Sequence, residues 1–219
     1  MSQQSFKQMP QQPSCCCNNR FPFPCCNNCC DKPSCKKSCS CKDEIAQLLM
    51  LINSLQVSIS DPTLSEIDFY SDGFTISPTT GNLLSINKNC DFTIAPADES
   101  NNITLVTEAL KALQINSALE EPSLFTVLLG YLEALPPIVY SCKCKSECCD
   151  KCDKDLQAQL QNLAITESLV KINFNNAFVT GVVYRIDNCI AYLLDNLESP
   201  NSIYAIPICQ IFSYQLQDL

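Results

Sequence analysis

Ten of the eighteen cysteines of this 219-residue chain lie between Cys15 and Cys41, and five more lie between Cys142 and Cys152. The first tract holds Cys15, Cys16, Cys17, Cys25, Cys26, Cys29, Cys30, Cys35, Cys39 and Cys41; the second holds Cys142, Cys144, Cys148, Cys149 and Cys152. Thiols at this density can do three kinds of chemistry: disulfide cross-linking, thiolate metal binding and dithiol redox exchange. Eight of the fourteen basic residues, Lys32, Lys36, Lys37, Lys42, Lys143, Lys145, Lys151 and Lys154, sit in or beside these tracts. They serve as solvating charge, and nearby ammonium groups also favour the thiolate, the form that exchanges and oxidises.

The vicinal groups Cys15-Cys16-Cys17, Cys25-Cys26, Cys29-Cys30 and Cys148-Cys149 argue for cross-linking between segments. Disulfide geometry disfavours a bond between immediate neighbours, so each thiol must find a separate partner. The metal alternative rests on Cys142, Cys144, Cys149 and Cys152, a C-x-C followed by a C-x-x-C that supplies four thiolates for tetrahedral zinc. Cys26 and Cys29 could form part of another such site. A redox role for Cys149-x-x-Cys152 lacks the preceding βαβ pattern. The isolated Cys90, Cys189 and Cys209 fall within or beside expected strands and read as small buried residues, with Cys90 and Cys189 also open to a bond between units.

Other chemistry is restricted by what is missing. The chain has no histidine and only four glycines, which removes Ser-His-Asp and Cys-His catalysis and leaves no Gly-rich phosphate loop. The acidic pairs Glu120-Glu121 and Asp98-Glu99 sit in turn-like segments and read as solvated loops, so no enzyme is expected. A formal net charge of −9 opposes binding to nucleic acid or anionic lipid. No stretch reaches the roughly 20 apolar residues of a membrane span, and the first residues lack the apolar region of a secretory signal. The expectation is a chain made in a reducing cytoplasm, where disulfides are rare. Bound metal would reconcile this with so many cysteines, and so would later exposure to an oxidant without secretion.

Around the tracts, the sequence divides clearly. Residues 1–41, rich in Gln, Asn, Pro, Ser and Cys, read as an irregular arm. Asp43-Glu44 then opens a helical pattern of Ile45, Leu48, Leu49, Ile52 and Leu55 over about 43–56. Strands are expected at Ile67–Phe69, Phe74–Ile76, Leu83–Ile86, Phe92–Ile94 and Ile103–Leu105, with hairpin turns at Asp72-Gly73 and Gly81-Asn82. Thr107–Leu113 reads as helix or as a 3₁₀ turn leading into a last strand. Glu121-Pro122-Ser123 starts an apolar helix ending at Pro136-Pro137, which must be buried between units or against another subunit.

The second half repeats the plan of the first. A cysteine tract again precedes an acid-started helix, at Cys41–Leu48 and at Cys152–Leu160. Ile67-Asp-Phe69 parallels Ile172-Asn-Phe174, and Thr80-Gly81 parallels Thr180-Gly181. Asn89-Cys90 parallels Asn188-Cys189, and Ile103 parallels Ile203. The division that follows is 1–41 arm, 42–116 helix plus first β unit, 117–141 linker with the apolar helix, 142–152 second cysteine tract, and 153–219 helix plus second β unit. The fold class is mainly β (α+β), with two small antiparallel barrel or sandwich modules.

Two resemblances add to this reading. The runs V-K-I-N-F (170–174), V-T-G-V-V-Y-R-I-D-N-C (179–189) and I-P-I-C-Q-I-F-S-Y (206–214) resemble the small SH3-like or Sm-like barrels of spore-associated proteins. That resemblance implies a strand, a short turn and a final strand closing the unit; RNA binding is opposed by Lys171 and Arg185 being the only cations from Val170 to Leu219. Dense cysteine tracts with no histidine and a repeated β unit resemble, as a whole, the cysteine-rich spore coat and exosporium proteins of Bacillus and Clostridium relatives. This implies a self-assembling homo-oligomeric lattice or fibre at the spore surface, locked by disulfides, with other cysteine-rich spore-layer proteins as further partners.

Overall fold

The computed structural model describes residues 41–72, 78–87, 91–98, 101–135, 154–174 and 177–217. The expected arm, apart from Cys41, lies outside these residues, as do the second cysteine tract and the strand expected at Phe74–Ile76. Helix α1, Cys41–Gln56, begins two residues earlier than its acidic pair suggested. It buries Ile45, Leu48, Leu49 and Ile52 almost completely. That spacing forms one apolar stripe, each side chain contributing about 1.5–3 kcal/mol on full burial.

Five strands follow: β1 (Ile67–Ser71), β2 (Thr79–Asn87), β3 (Asp91–Pro96), β4 (Ile103–Val106) and β5 (Leu110–Asn116). A 3₁₀ turn at Thr107–Ala109 joins the last two, which settles the Thr107–Leu113 segment in favour of turn then strand. Helix α2, Leu124–Ala134, is capped by Ser123 and Thr126 bonding to each other's backbone N–H groups, two otherwise orphaned donors satisfied at once. Pro122 precedes this cap instead of occupying the first helical turn. The second half contains α3 (Lys154–Ile165), β6 (Leu169–Phe174), β7 (Ala177–Asp187), β8 (Ile190–Leu194), β9 (Ser202–Pro207) and β10 (Ser213–Leu216).

The ten strands form one antiparallel sheet in the order β10-β6-β7-β8-β9-β5-β1-β2-β3-β4. Among the described residues the chain is thus mainly β with three α-helices. Each half has the same internal order, its fifth strand beside its first and then the second, third and fourth. The two halves meet where β5 pairs with β9: Leu113 opposite Ala205, Gln114 opposite Tyr204, Ile115 opposite Ile203 and Asn116 opposite Ser202.

This junction explains β8, whose I-A-Y-L-L sequence shows no strand alternation and is buried throughout. Its two faces feed different cores. Ile190, Tyr192 and Leu194 join the first core, with α1, α2, Phe69 and Phe92, whereas Ala191 and Leu193 join the second, with Leu160 of α3 and Phe174. A strand buried on both faces loses its polar face and hence its period-2 signal.

Register corrects two sequence correspondences and one expected turn. Gly81 pairs with Ile67 and Gly181 with Val170, so Ile67 corresponds to Val170, two residues before Ile172 on the same face. Asp91 to Val106 spans 15 positions and Ile190 to Pro207 spans 17, so Ile103 matches Tyr204. Ile203 therefore points to the opposite face, into the first core; a one-residue slip does this because side chains alternate. Gly81 and Asn82 lie inside β2 and form no turn.

Both glycines serve close backbone approach. A Cβ on Gly81 would stand 2.3 Å from the Ala95 carbonyl oxygen, and one on Gly181 would stand 2.6 Å from that of Leu194. In each half the strand then bulges, between Leu83 and Ser85 and between Val183 and Arg185. Gly81→Ala and Gly181→Ala should each lower unfolding free energy by about 1–3 kcal/mol, read by urea denaturation with far-UV circular dichroism.

Candidate functional site

The cysteines nominated from sequence bear on the described structure at their ends. Cys41 is the first residue of α1. The other tract residues lie outside the described residues, including the alternative zinc set Cys142, Cys144, Cys149 and Cys152. Among the described residues, no group of three or more His, Cys, Asp or Glu side chains is placed to hold a metal ion. Cys189 is half-buried and, with Asn188, forms a two-residue turn between β7 and β8 at φ values of 61° and 47°. Both are left-handed, as such hairpins require. Cys209 is exposed in the 3₁₀ turn Ile208–Gln210 and is disulfide-bonded. Neither is the fully buried core residue expected. The N–H of Ile208 donates to the Cys189 carbonyl at 2.8 Å, which puts both cysteines at one end of the sheet.

The junction between halves carries a polar network. Ser202 Oγ and Gln114 Nε2 donate to Asn116 Oδ1 at 2.7 and 2.8 Å, and Asn116 Nδ2 donates to Asp68 at 2.9 Å. Asp195 accepts from the N–H groups of Asn201 and Ser202 at 2.9 and 3.0 Å, closing the loop that delivers β9. At the other end, Lys111 pairs with Asp72 at 2.9 Å and donates to Gln210 at 3.1 Å. Helix α2 packs over both junction strands. No sequence motif flags this network, because its members come together only once β5 and β9 pair.

A second cluster ties α2 to the second half. Tyr131 donates to Asp187 Oδ2 at 3.5 Å, Asn188 Nδ2 donates to the same oxygen at 3.1 Å, and Arg185 donates to the Leu135 carbonyl at 3.3 Å. Burial raises the Asp187 carboxyl above its usual range despite the donors around it. Burial, with Asp187 beside it, pushes the Tyr131 hydroxyl up to about 12, and burial also raises the wholly buried Tyr192 well above its ordinary value. The cluster works as an anchor between helix and sheet.

The outer strands of the sheet, β4 and β10, carry no charged residue and, among the described residues, each has one neighbour in the sheet, β3 and β6 respectively. Beside β10, an open hollow of about 390 Å³ is lined by Asp155, Leu156, Gln159 and residues 211–214. Tyr214 spans its wall and donates to Gln159 Oε1 at 2.6 Å.

The raised tyrosines carry a testable sign. Tyr70 and Tyr131 lie near 12 in the folded chain, and Tyr192 and Tyr204 are also raised. Stability from keeping them neutral is present below about pH 10 and is lost as pH rises toward 12. Absorbance titration at 295 nm should show part of the tyrosine signal delayed past pH 10 and recovered at once in denaturant. For Asp187 the contribution is present at acid pH and falls as pH rises through its elevated value. Asp187→Asn should flatten that fall in denaturation series from pH 4 to 8.

No protein-family model, curated protein or solved structure matches the chain.

Proposed function

We propose that this chain is a self-assembling structural subunit of a bacterial spore outer layer, a coat or exosporium lattice or fibre, cross-linked by intermolecular disulfides. The position of the sulfur carries the reading. Cys41 is the first residue of α1, and Cys152 stands two residues before Lys154, the first of α3. Each thiol tract therefore runs directly into a helix of the folded body, and a bond made by a tract transmits to the sheet. The recurring strand order supports reading the two halves as one β module, helix first, duplicated in tandem, with the SH3-like or Sm-like resemblance confined to 170–216 of the second.

The role is structural and non-catalytic, and the partners are further copies of the chain and other cysteine-rich spore-layer proteins. The spore surface suits it because lysis of the mother cell delivers an oxidising environment without secretion. No described helix is long and apolar enough to cross a membrane. The lysine-rich tracts are complementary to acidic modules, which favours docking before oxidation fixes the contact.

Air-oxidised protein on non-reducing gels should form ladders and unentered material that collapse with reductant to one 24.3 kDa band. A single monomer band with every thiol open to alkylation would sink this reading. Stoichiometric zinc in reduced protein that never cross-links would replace it with the metal reading.

A further inference from the structure

We propose that β10 is a self-complementary docking strand that pairs antiparallel with β10 of a second copy, making a dimer that forms without any disulfide. The proposal deepens the assembly reading above by naming its non-covalent contact. It starts from the difference between β10 and its counterpart β5. Phe69 pairs with Leu113, and Ile172 with Tyr214. Since Phe69 and Ile172 match across the halves, Leu113 matches Tyr214 and Ile115 matches Leu216.

Leu113 and Ile115 are completely buried in the first core, beside Ala205 and Ile203 of β9, whereas Leu216 is 63% exposed, Tyr214 is half-exposed and the preceding Phe212 is 85% exposed. Tyr214 and Leu216 are two residues apart and so share a face of the strand. An uncharged edge strand with an apolar face is the type that natural sheets normally shield.

Three candidate occupants can be compared. Head-to-tail addition would place β4 on β10 as β9 lies on β5. The residues of β9 that cover β5 are Ile203 and Ala205, but register puts Asn102 and Thr104 at the matching positions of the first half. Both are exposed, and Thr104 is hydrogen-bonded to Thr93 at 2.9 Å. Asn102 would face Leu216, so β4 is a polar outer edge and fits poorly. A β4–β4 contact would leave Leu216 uncovered. A second β10 supplies apolar groups to both sides.

Backbone alternation selects a register. Gln217 lies one position beyond the β10–β6 ladder and donates to the Leu169 carbonyl at 3.0 Å, so Ser213, Gln215 and Gln217 turn their backbone groups toward β6 and Tyr214 and Leu216 turn theirs outward. The Phe212 N–H is already held by the Asn173 carbonyl at 2.9 Å. With the two-fold axis at Gln215, Tyr214 of each copy stands opposite Leu216 of the other, exchanging both backbone bonds and packing on the same face. The Gln159 bond to Tyr214 fixes the ring beforehand, which reduces the ordering cost of association.

The test uses the full chain in reductant, by sedimentation equilibrium. Wild type should sediment as a dimer. Leu216→Pro removes only an outward N–H, which edge positions tolerate, and should weaken dimerisation at least about tenfold. Leu216→Glu should do the same at an exposed site, and unchanged far-UV spectra would confirm folding of both. Thr104→Lys, on the opposite edge, should leave the dimer intact. A wild-type monomer in reductant, or dissociation by Thr104→Lys but not by the Leu216 variants, overturns the β10 contact. Cross-linked ladders from such a monomer without reductant would leave the disulfide reading standing. A reduced dimer that never cross-links would remove the disulfide reading and keep β10.

Discussion

The hydrogen-bonded ladder between β5 and β9 is the contact on which the rest of the molecule depends. It turns two halves with the same strand order into one ten-stranded sheet, and it brings Ile203 and Ala205 of the second half into the core of the first. Without it, Ile115 and Leu113 would lie on an open edge, and Ile190, Tyr192 and Leu194 would lose the core they fill. Several fully buried aliphatic and aromatic side chains are involved, each worth about 1.5–3 kcal/mol, so separating the halves would cost an amount comparable with a typical domain's whole stability margin.

The same junction makes the halves unequal. The second half presents an apolar outward face on β8 and β9 because the first half covers it. Among the described residues the first half has no such neighbour beyond β4, and there the matching positions are Asn102 and Thr104. Helix α2 reinforces the inequality by packing on α1, β5 and β9, so the first core has two helical covers and the second, among the described residues, has α3. Exposed Phe212 and Leu216 lie on that less covered side. Repetition of a strand order therefore does not imply repetition of surface chemistry.

Much of the secondary structure could be read from residue patterns. The i, i+3, i+4, i+7 stripe of α1 announces itself, as do the apolar alternation of β1 and β3 and the apolar run of α2 behind its Ser cap. β8 escaped because burial on both faces erases its period. The match of Ile103 with Ile203 failed because hairpin length decides register: two extra positions between β8 and β9 shift the pairing, and sequence identity at a fixed offset does not detect that. Cys209 read as a core residue because it falls in the expected final strand over 206–214, yet the 3₁₀ turn Ile208–Gln210 leaves it exposed.

By itself, then, the sequence determined where the thiols are concentrated and the kinds of element. Thiol density, the lack of histidine, period-2 and period-3.6 apolar spacing, and capping residues are all local and survive without a fold. Tertiary structure alone decided which strand lies beside which, that two similar units share one sheet, and which apolar side chains stay uncovered. Those outcomes depend on pairing between segments about 90 residues apart, where free energy comes from burying surface jointly and no single segment carries the information.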